Sequence, residues 1–227
     1  MNQQAKQELR TKNHQLGTCI ITIDGPAASG KSSVARAVAK KLDFTFVSSG
    51  SYYRALAWLV GREQIDFSNE QKLTAWLTSL NLESRVLQGE VHLFLNGIDP
   101  APYLTETSVN ALVSPLAGLP VVRSFLLEKL RDLANYNNIV MEGRDIGSVV
   151  FPEATFKFYL DASLEERMRR RSEQGTIDTI ATRDQQDATR ALAPLSIPPG
   201  ATVIDSTHLS VEEVVEKIIT IVLSSKN

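Results

Sequence analysis

Asp24-Gly25-Pro26-Ala27-Ala28-Ser29-Gly30-Lys31-Ser32-Ser33 is the stretch on which the fold turns. The β-branched residues Ile20, Ile21, Thr22 and Ile23 lead into it, and Val34, Ala35, Val38, Ala39 and Leu42 follow at helical spacing. The stretch therefore joins a predicted strand to a predicted helix. Gly25 and Gly30 permit backbone angles and a close approach that a Cβ would forbid. Successive N–H groups can then converge on a phosphate at the positive end of the helix. Lys31 reaches toward the β- and γ-phosphates of a nucleoside triphosphate, and the Ser32 hydroxyl is a ligand for Mg²⁺. Gly25, Pro26, Ala27, Ala28, Ser29, Gly30, Lys31, Ser32 and Ser33 thus form a candidate triphosphate cradle. An ordinary glycine-rich turn would not need both glycines, the lysine and the serine in register between a strand and a helix.

Composition narrows the setting. A chain of 227 residues, 43% hydrophobic, can bury a full core, and one domain with an insertion is expected rather than two domains. A formal charge of −2 provides no general attraction to nucleic acid or to an anionic membrane, so neither is an expected partner. No apolar run approaches the roughly 20 residues of a membrane span. Met1 to Gly17 is polar and lacks the apolar segment of a secretory signal. It reads as a flexible arm ahead of a single domain over residues 18–227. The single cysteine, Cys19, falls in the first strand and cannot form an internal disulfide, which fits a reducing cytoplasm. A monomer is the expectation.

Beyond the first helix, Phe44 to Ser48 reads as a strand. Ser49-Gly50-Ser51 starts a helix bearing Tyr52, Tyr53, Arg54, Leu56 and Leu59, with Gly61 as its stop. Leu73, Trp76, Leu77 and Leu80 mark an amphipathic helix over Glu70 to Leu80. Leu82 to Leu87 and Val91 to Leu95, around Gln88-Gly89-Glu90, predict a hairpin. It suggests an antiparallel insert beside the main sheet, over about residues 64–121. Thr107 or Ser108 is placed to cap a helix carrying Val109, Leu112, Val113 and Leu116. Pro120 suits the first turn of the next, with Val122, Phe125, Leu126, Leu130 and Leu133. Ile139 to Met141, Thr155 to Leu160 and Thr202 to Asp205 read as further strands. Ser163-x-x-Glu166 and Ser210-x-x-Glu213 read as capping boxes, one before an Arg-rich helix and one before the closing helix. The alternation predicts an α/β fold in which helices flank a parallel sheet.

Two absences and a surplus narrow the chemistry. No Asp is followed three places later by Gly, and no Asn-Lys-x-Asp occurs, so the usual GTPase signals are missing. Arg and Asp gather instead at the ends of elements. Arg183, Asp187 and Arg190 share one face of a helix at i, i+4 and i+7. That face is either a surface ion-pair ladder, worth about 0.2–0.5 kcal/mol per pair, or part of a phosphate site. Arg167, Arg169, Arg170 and Arg171 are likewise either a solvated helix face or cations for phosphoryl transfer, carried on a lid hinged near Gly175.

Six blocks together resemble the bacterial cytidylate kinase family: Gly25 to Ser33, Ser49 to Arg54, Gly143 to Ala154, Phe158 to Arg167, Arg183 to Leu195 and Ile204 to Thr207. The resemblance runs from about Ile20 to the C-terminus, and the Gly143–Ala154 block is distinctive of that family among nucleoside monophosphate kinases. It implies a P-loop NTPase core over about residues 18–63 and 122–227, with a small β-containing CMP-binding insert over 64–121 and an Arg-rich helical lid over 164–190. It implies transfer of the ATP γ-phosphate to CMP or dCMP with Mg²⁺. Matched by position, Ser114, Arg123 and Asp145 would face cytosine. Arg54, Arg144 and Arg190 would hold the acceptor phosphate, and Ser49, Arg183 and Asp187 would lie around sugar and phosphate. Lys31, Arg144, Arg167 and Arg170 would carry the catalytic charge. Two departures stand out: Ser48 replaces the usual Asp, and the segment from Arg167 to Arg183 is shorter than the family's.

The residue chemistry agrees. Cytosine presents an N4 amino donor, which a carboxylate and a hydroxyl can accept while an arginine donates to N3. Uracil would turn a carbonyl toward Asp145 and leave buried groups unpaired. A kinase of another small acceptor (UMP, AMP or shikimate) and a nucleotide-binding module without turnover are the competing readings.

Overall fold

Ile139, Val140 and Met141 show how the strand pattern becomes layers. They lie on β5 (Ile139–Gly143), a strand buried along its whole length. Successive side chains leave opposite faces of a strand, so Ile139 and Met141 enter one core and Val140 the other. In this computed structural model the described residues are 18–135, 138–173, 184, 187 and 194–224. The arm at 1–17, Gly175, Arg183 and Arg190 lie outside them.

The other strands are β1 (Ile20–Asp24), β2 (Thr45–Ser48), β3 (Leu82–Leu87), β4 (Glu90–Leu95), β6 (Phe156–Asp161) and β7 (Thr202–Asp205). They form a seven-stranded sheet in the order β3-β4-β2-β5-β1-β6-β7. From β2 to β7 every pairing is parallel. Helix α1 (Lys31–Leu42) brings Val34 and Val38 to the face where Ile21, Ile23, Phe46, Val140 and Phe158 point. There they meet Val214 and Ile218 of α7 (Val211–Ser224). The opposite face is covered by α2 (Ser49–Glu63), α3 (Glu70–Ser79), α4 (Thr107–Ala117) and α5 (Pro120–Asp132), which contribute Leu56, Leu73, Val109 and Leu126. The axes of the last two helices are bent by 97° across the short break between them. Helix α6 (Leu164–Glu173) follows β6 and carries the arginines. Among the described residues no single helix is long and apolar enough to cross a membrane.

The hairpin is antiparallel, with Leu82 opposite Leu95, and it prolongs the main sheet at its edge. The junction is a single parallel register point, Phe46 opposite Glu90. Arg36 secures it by donating to Glu90 at 2.7 Å while lying over the Phe46 ring.

Three local expectations need correction. Gly61 does not stop α2, which runs to Glu63 and is followed by Gln64 at φ +55°. A Cβ on Gly61 would lie 3.1 Å from Leu112 Cδ1, so the glycine admits α4 at close range. Neither Thr107 nor Ser108 caps α4: Glu106 takes the N-cap position, and Ser108 Oγ donates to its carboxylate at 3.2 Å. Of the two capping boxes, Ser210–Glu213 is reciprocal, the Ser210 N–H donating to Glu213 at 2.8 Å and the Glu213 N–H to Ser210 Oγ at 3.2 Å. At Ser163 the Glu166 N–H donates to Ser163 Oγ at 3.2 Å, but the Glu166 carboxylate is engaged by Arg169 and Arg170.

Candidate active site

The carboxyl ends of β1, β2 and β5 lie side by side, with Asp24 opposite Gly143 and Ser48 opposite Glu142. Beyond such ends, where strand order reverses, a parallel sheet leaves its binding crevice. A cavity of about 320 Å³ opens there.

One wall is the loop between β1 and α1. Gly25 sits at φ +152°, and a Cβ there would lie 2.1 Å from the Leu160 carbonyl oxygen, so only glycine lets the loop run this close to β6. Gly30, at φ +88°, turns the chain into α1. Ala27, Ala28, Gly30, Lys31, Ser32 and Ser33 face the cavity. Lys31 is buried, and its Nζ donates to the Pro26 carbonyl at 2.7 Å. Burial, reinforced by the Arg144 charge, pulls its pKa down to about 7 against the opposing pull of Glu142, Asp187 and Asp24.

A second group of lining residues gathers around Arg123 and Asp145. Arg123 and Asp145 form an ion pair whose side chains are only 10% and 7% exposed. Arg123 also donates to the Ala117 carbonyl at 3.2 Å and lies 5.7 Å above the Tyr53 ring. Asp145 opens a π-helical turn, Ile146–Val150, of the kind often found at functional sites. Ser114, Ser49 and Tyr53 line the same space. The cavity is also lined by Arg54, bonded to the Leu104 carbonyl at 3.0 Å and Asn110 at 2.7 Å, and by Arg144, bonded to Asp187 at 2.7 Å. The structure thus gathers Lys31, Ser32, Ser49, Arg54, Ser114, Arg123, Arg144, Asp145 and Asp187 on one cavity. Gly25, Pro26 and Ser29 belong to the same loop without lining it.

Arg167 and Arg170 are elsewhere. Arg167 is buried behind the loop, donating to the carbonyls of Ala162 at 3.0 Å and Ala27 at 3.2 Å and pairing with Asp184. Asp184 in turn accepts from the Ala27 N–H at 3.2 Å. Arg170 bonds Glu166 at 2.8 Å and the Ser206 carbonyl at 2.6 Å, while Ser206 Oγ lies 3.1 Å from the Ser29 carbonyl oxygen. Neither lines the cavity; their bonds run to Ala27 and Ser206 beside the loop between β1 and α1. The α6 arginine on the cavity is Arg171.

Sequence reasoning also passed over Glu142 and Asp24. Glu142 lines the cavity and accepts from Ser48 Oγ at 2.5 Å. Asp24 is fully buried and accepts from the N–H groups of Ile146 at 2.8 Å and Gly147 at 2.7 Å. Burial raises its pKa to about 6 even against those two bonds. The signal was a polar residue closing each of two buried strands, Asp24 on β1 and Glu142 near the end of β5. An interior strand carries charge at such a position only when the charge has partners.

For a divalent cation, the Ser32 hydroxyl and the Glu142 carboxylate present oxygen donors to one space. Among the described residues no group of three metal-ligating side chains occurs. A hard cation here would therefore complete its shell with phosphate oxygens and water, as Mg²⁺ usually does. The donor set fits it.

A family profile described as cytidylate kinase matches residues 21–224. The chain is 42% identical over 212 residues to a cytidylate kinase of Caldanaerobacter subterraneus subsp. tengcongensis, covering 88% of this chain and 93% of that one. It is 38% identical over 207 residues to a cytidylate kinase of Pasteurella multocida, covering 86% and 91%. Among solved structures, a shikimate kinase from Acinetobacter baumannii aligns over 92% of this chain and 95% of its own at 14% identity, with a TM-score of 0.48. With a family match over residues 21–224 of 227, the chain belongs to the cytidylate kinase family.

Proposed function

We propose that this chain moves the γ-phosphate of ATP onto CMP or dCMP by in-line transfer, giving CDP or dCDP. The observation that carries the reading is that the Lys31 loop and the buried Arg123–Asp145 pair line one cavity. Asp145 accepts from the cytosine N4 amine, with Ser114 beside it, and Arg123 donates to N3. Arg54 and Arg144 grip the acceptor phosphate, since a planar guanidinium makes paired bonds to phosphate oxygens. Ser49 and Asp187 lie around the sugar and phosphate; Arg183 and Arg190 are assigned the same side by family resemblance alone.

No side-chain nucleophile is needed, because the acceptor phosphate oxygen itself attacks. The protein contributes alignment and charge. Lys31 and Arg171 neutralise charge on the transferred group. Arg167 and Arg170 act one step back, engaging loop carbonyls so that the cradle keeps its shape. Ser32, with Glu142 opposite, would hold Mg²⁺, which when bound neutralises charge on the phosphate oxygens. The buried, solitary Cys19 suits a reducing compartment such as the cytoplasm.

The test is an acceptor panel with ATP and Mg²⁺: CMP and dCMP should be phosphorylated well ahead of UMP, AMP and shikimate. Preference for UMP over CMP would overturn the assignment of Asp145.

A further inference from the structure

Thr22 and Asp24 alternate with Ile21 and Ile23 along β1. Because Ile21 and Ile23 point into the core shared with α1, Thr22 and Asp24 point to the other face of the sheet. On that face sits the turn Ile146–Val150, directly after Asp145. Asp24 Oδ1 accepts from the Ile146 N–H at 2.8 Å and Oδ2 from the Gly147 N–H at 2.7 Å, with no exposure to solvent. The Asp145 carbonyl, in turn, accepts from Val149 at 2.9 Å and Val150 at 3.2 Å. The backbone on the C-terminal side of Asp145 is thus held from two directions. Gly147 shows how closely the turn rests on the strand: a Cβ there would lie 2.7 Å from Thr22 Oγ1 and 3.2 Å from Asp24 Oδ2.

We propose that Asp24 is a positioning residue for base selection, whose carboxylate pins the turn carrying Asp145. The strand that ends in the triphosphate loop thereby also sets the acid that reads the acceptor base. The inference rests on the reading that Asp145 faces cytosine. Its force comes from geometry: the carboxylate gives each of two adjacent amides its own acceptor oxygen, which an amide side chain, with one oxygen and one NH₂, does not. A buried polar group that loses one such partner must move or leave an amide unsatisfied. A shift of the turn moves Asp145 against Arg123, and recognition through buried hydrogen bonds tolerates little displacement.

The decisive variant is Asp24→Asn, which keeps the shape but turns an NH₂ toward one of the two amides. The expected result is a KM for CMP raised about tenfold, a KM for ATP changed by less than about threefold, and a preference for CMP over UMP reduced about tenfold. A residue that merely stabilised the fold would lower the melting temperature without moving that preference. Gly147→Ala lifts the same turn with Asp24 intact and should produce the same loss of preference. If Asp24→Asn does not fold, as judged by circular dichroism, Gly147→Ala decides by the same criteria. Folded variants that keep the parent's CMP preference, or that raise the KM for ATP as much as that for CMP, overturn the proposal. Asp145→Ala separates the two layers. If it removes the preference while Asp24→Asn and Gly147→Ala retain it, the role of Asp24 falls alone; if it too leaves the preference intact, the base reading falls and takes the inference with it.

Discussion

Ser48 Oγ donates a hydrogen bond to Glu142 Oε1 at 2.5 Å, tying the end of β2 to that of β5 at the cavity wall. Ser48 stands where the resembling family usually carries Asp. Two carboxylates in hydrogen-bond contact would repel, and one would be pushed toward its protonated form. A serine instead offers Glu142 a hydrogen-bond donor. Ser48→Ala removes that support, and a lost partner behind a metal ligand costs at least about tenfold in metal affinity. The Mg²⁺ concentration for half-maximal rate should rise by about that factor with CMP preference unchanged, as a Mg²⁺ titration at fixed ATP would read.

Lys31 sets a pH dependence. Burial holds its pKa near 7, well below the ordinary 10.5, so in the free protein the ammonium is progressively lost as pH rises past 7. A bound triphosphate favours the ammonium and raises that pKa. Binding of ATP should therefore take up about one proton at pH 8 and almost none at pH 6, and affinity should weaken as pH climbs above 7. Calorimetry in two buffers of different ionisation enthalpy measures the uptake, and Lys31→Met should abolish it.

Two substitutions address the two groups of lining residues separately. Lys31→Met removes the charge at the transferred phosphate and should lower kcat for CMP phosphorylation by about a hundredfold or more. Asp145→Ala should reduce kcat/KM for CMP by a similar factor while leaving the KM for ATP nearly unchanged, since its effect is on the acceptor. Steady-state kinetics with both substrates varied distinguishes these patterns.

The neighbours Arg170 and Arg171 should behave differently. Arg170 is bonded to Glu166 and Ser206 behind the triphosphate loop, and Arg171 is on the cavity. Arg170→Ala is expected to raise the KM for ATP by about fivefold, about 1 kcal/mol of lost support, with a smaller change in kcat. Arg171→Ala is expected to lower kcat by about tenfold or more. Reversal of the two profiles would contradict the placement of these side chains.

Local spacing determined the strand, loop and helix from Ile20 to Leu42, because glycine angles, β-branching and helical periodicity act between near neighbours in the chain. The same held for the parallel alternation and for the reciprocal cap at Ser210. Tertiary structure decided what near neighbours cannot. Successive residues on a helix point about 100° apart, so only the seating of α6 against the sheet selects Arg171 for the cavity and Arg170 for the loop's back. Gly61 looked like a helix stop until Leu112 came against it. Asp24 meets Ile146 and Gly147, and Ser48 meets Glu142, only because β5 lies between β1 and β2. A carboxylate's partner across such a distance in the chain is set by strand order, and strand order is a property of the packed sheet.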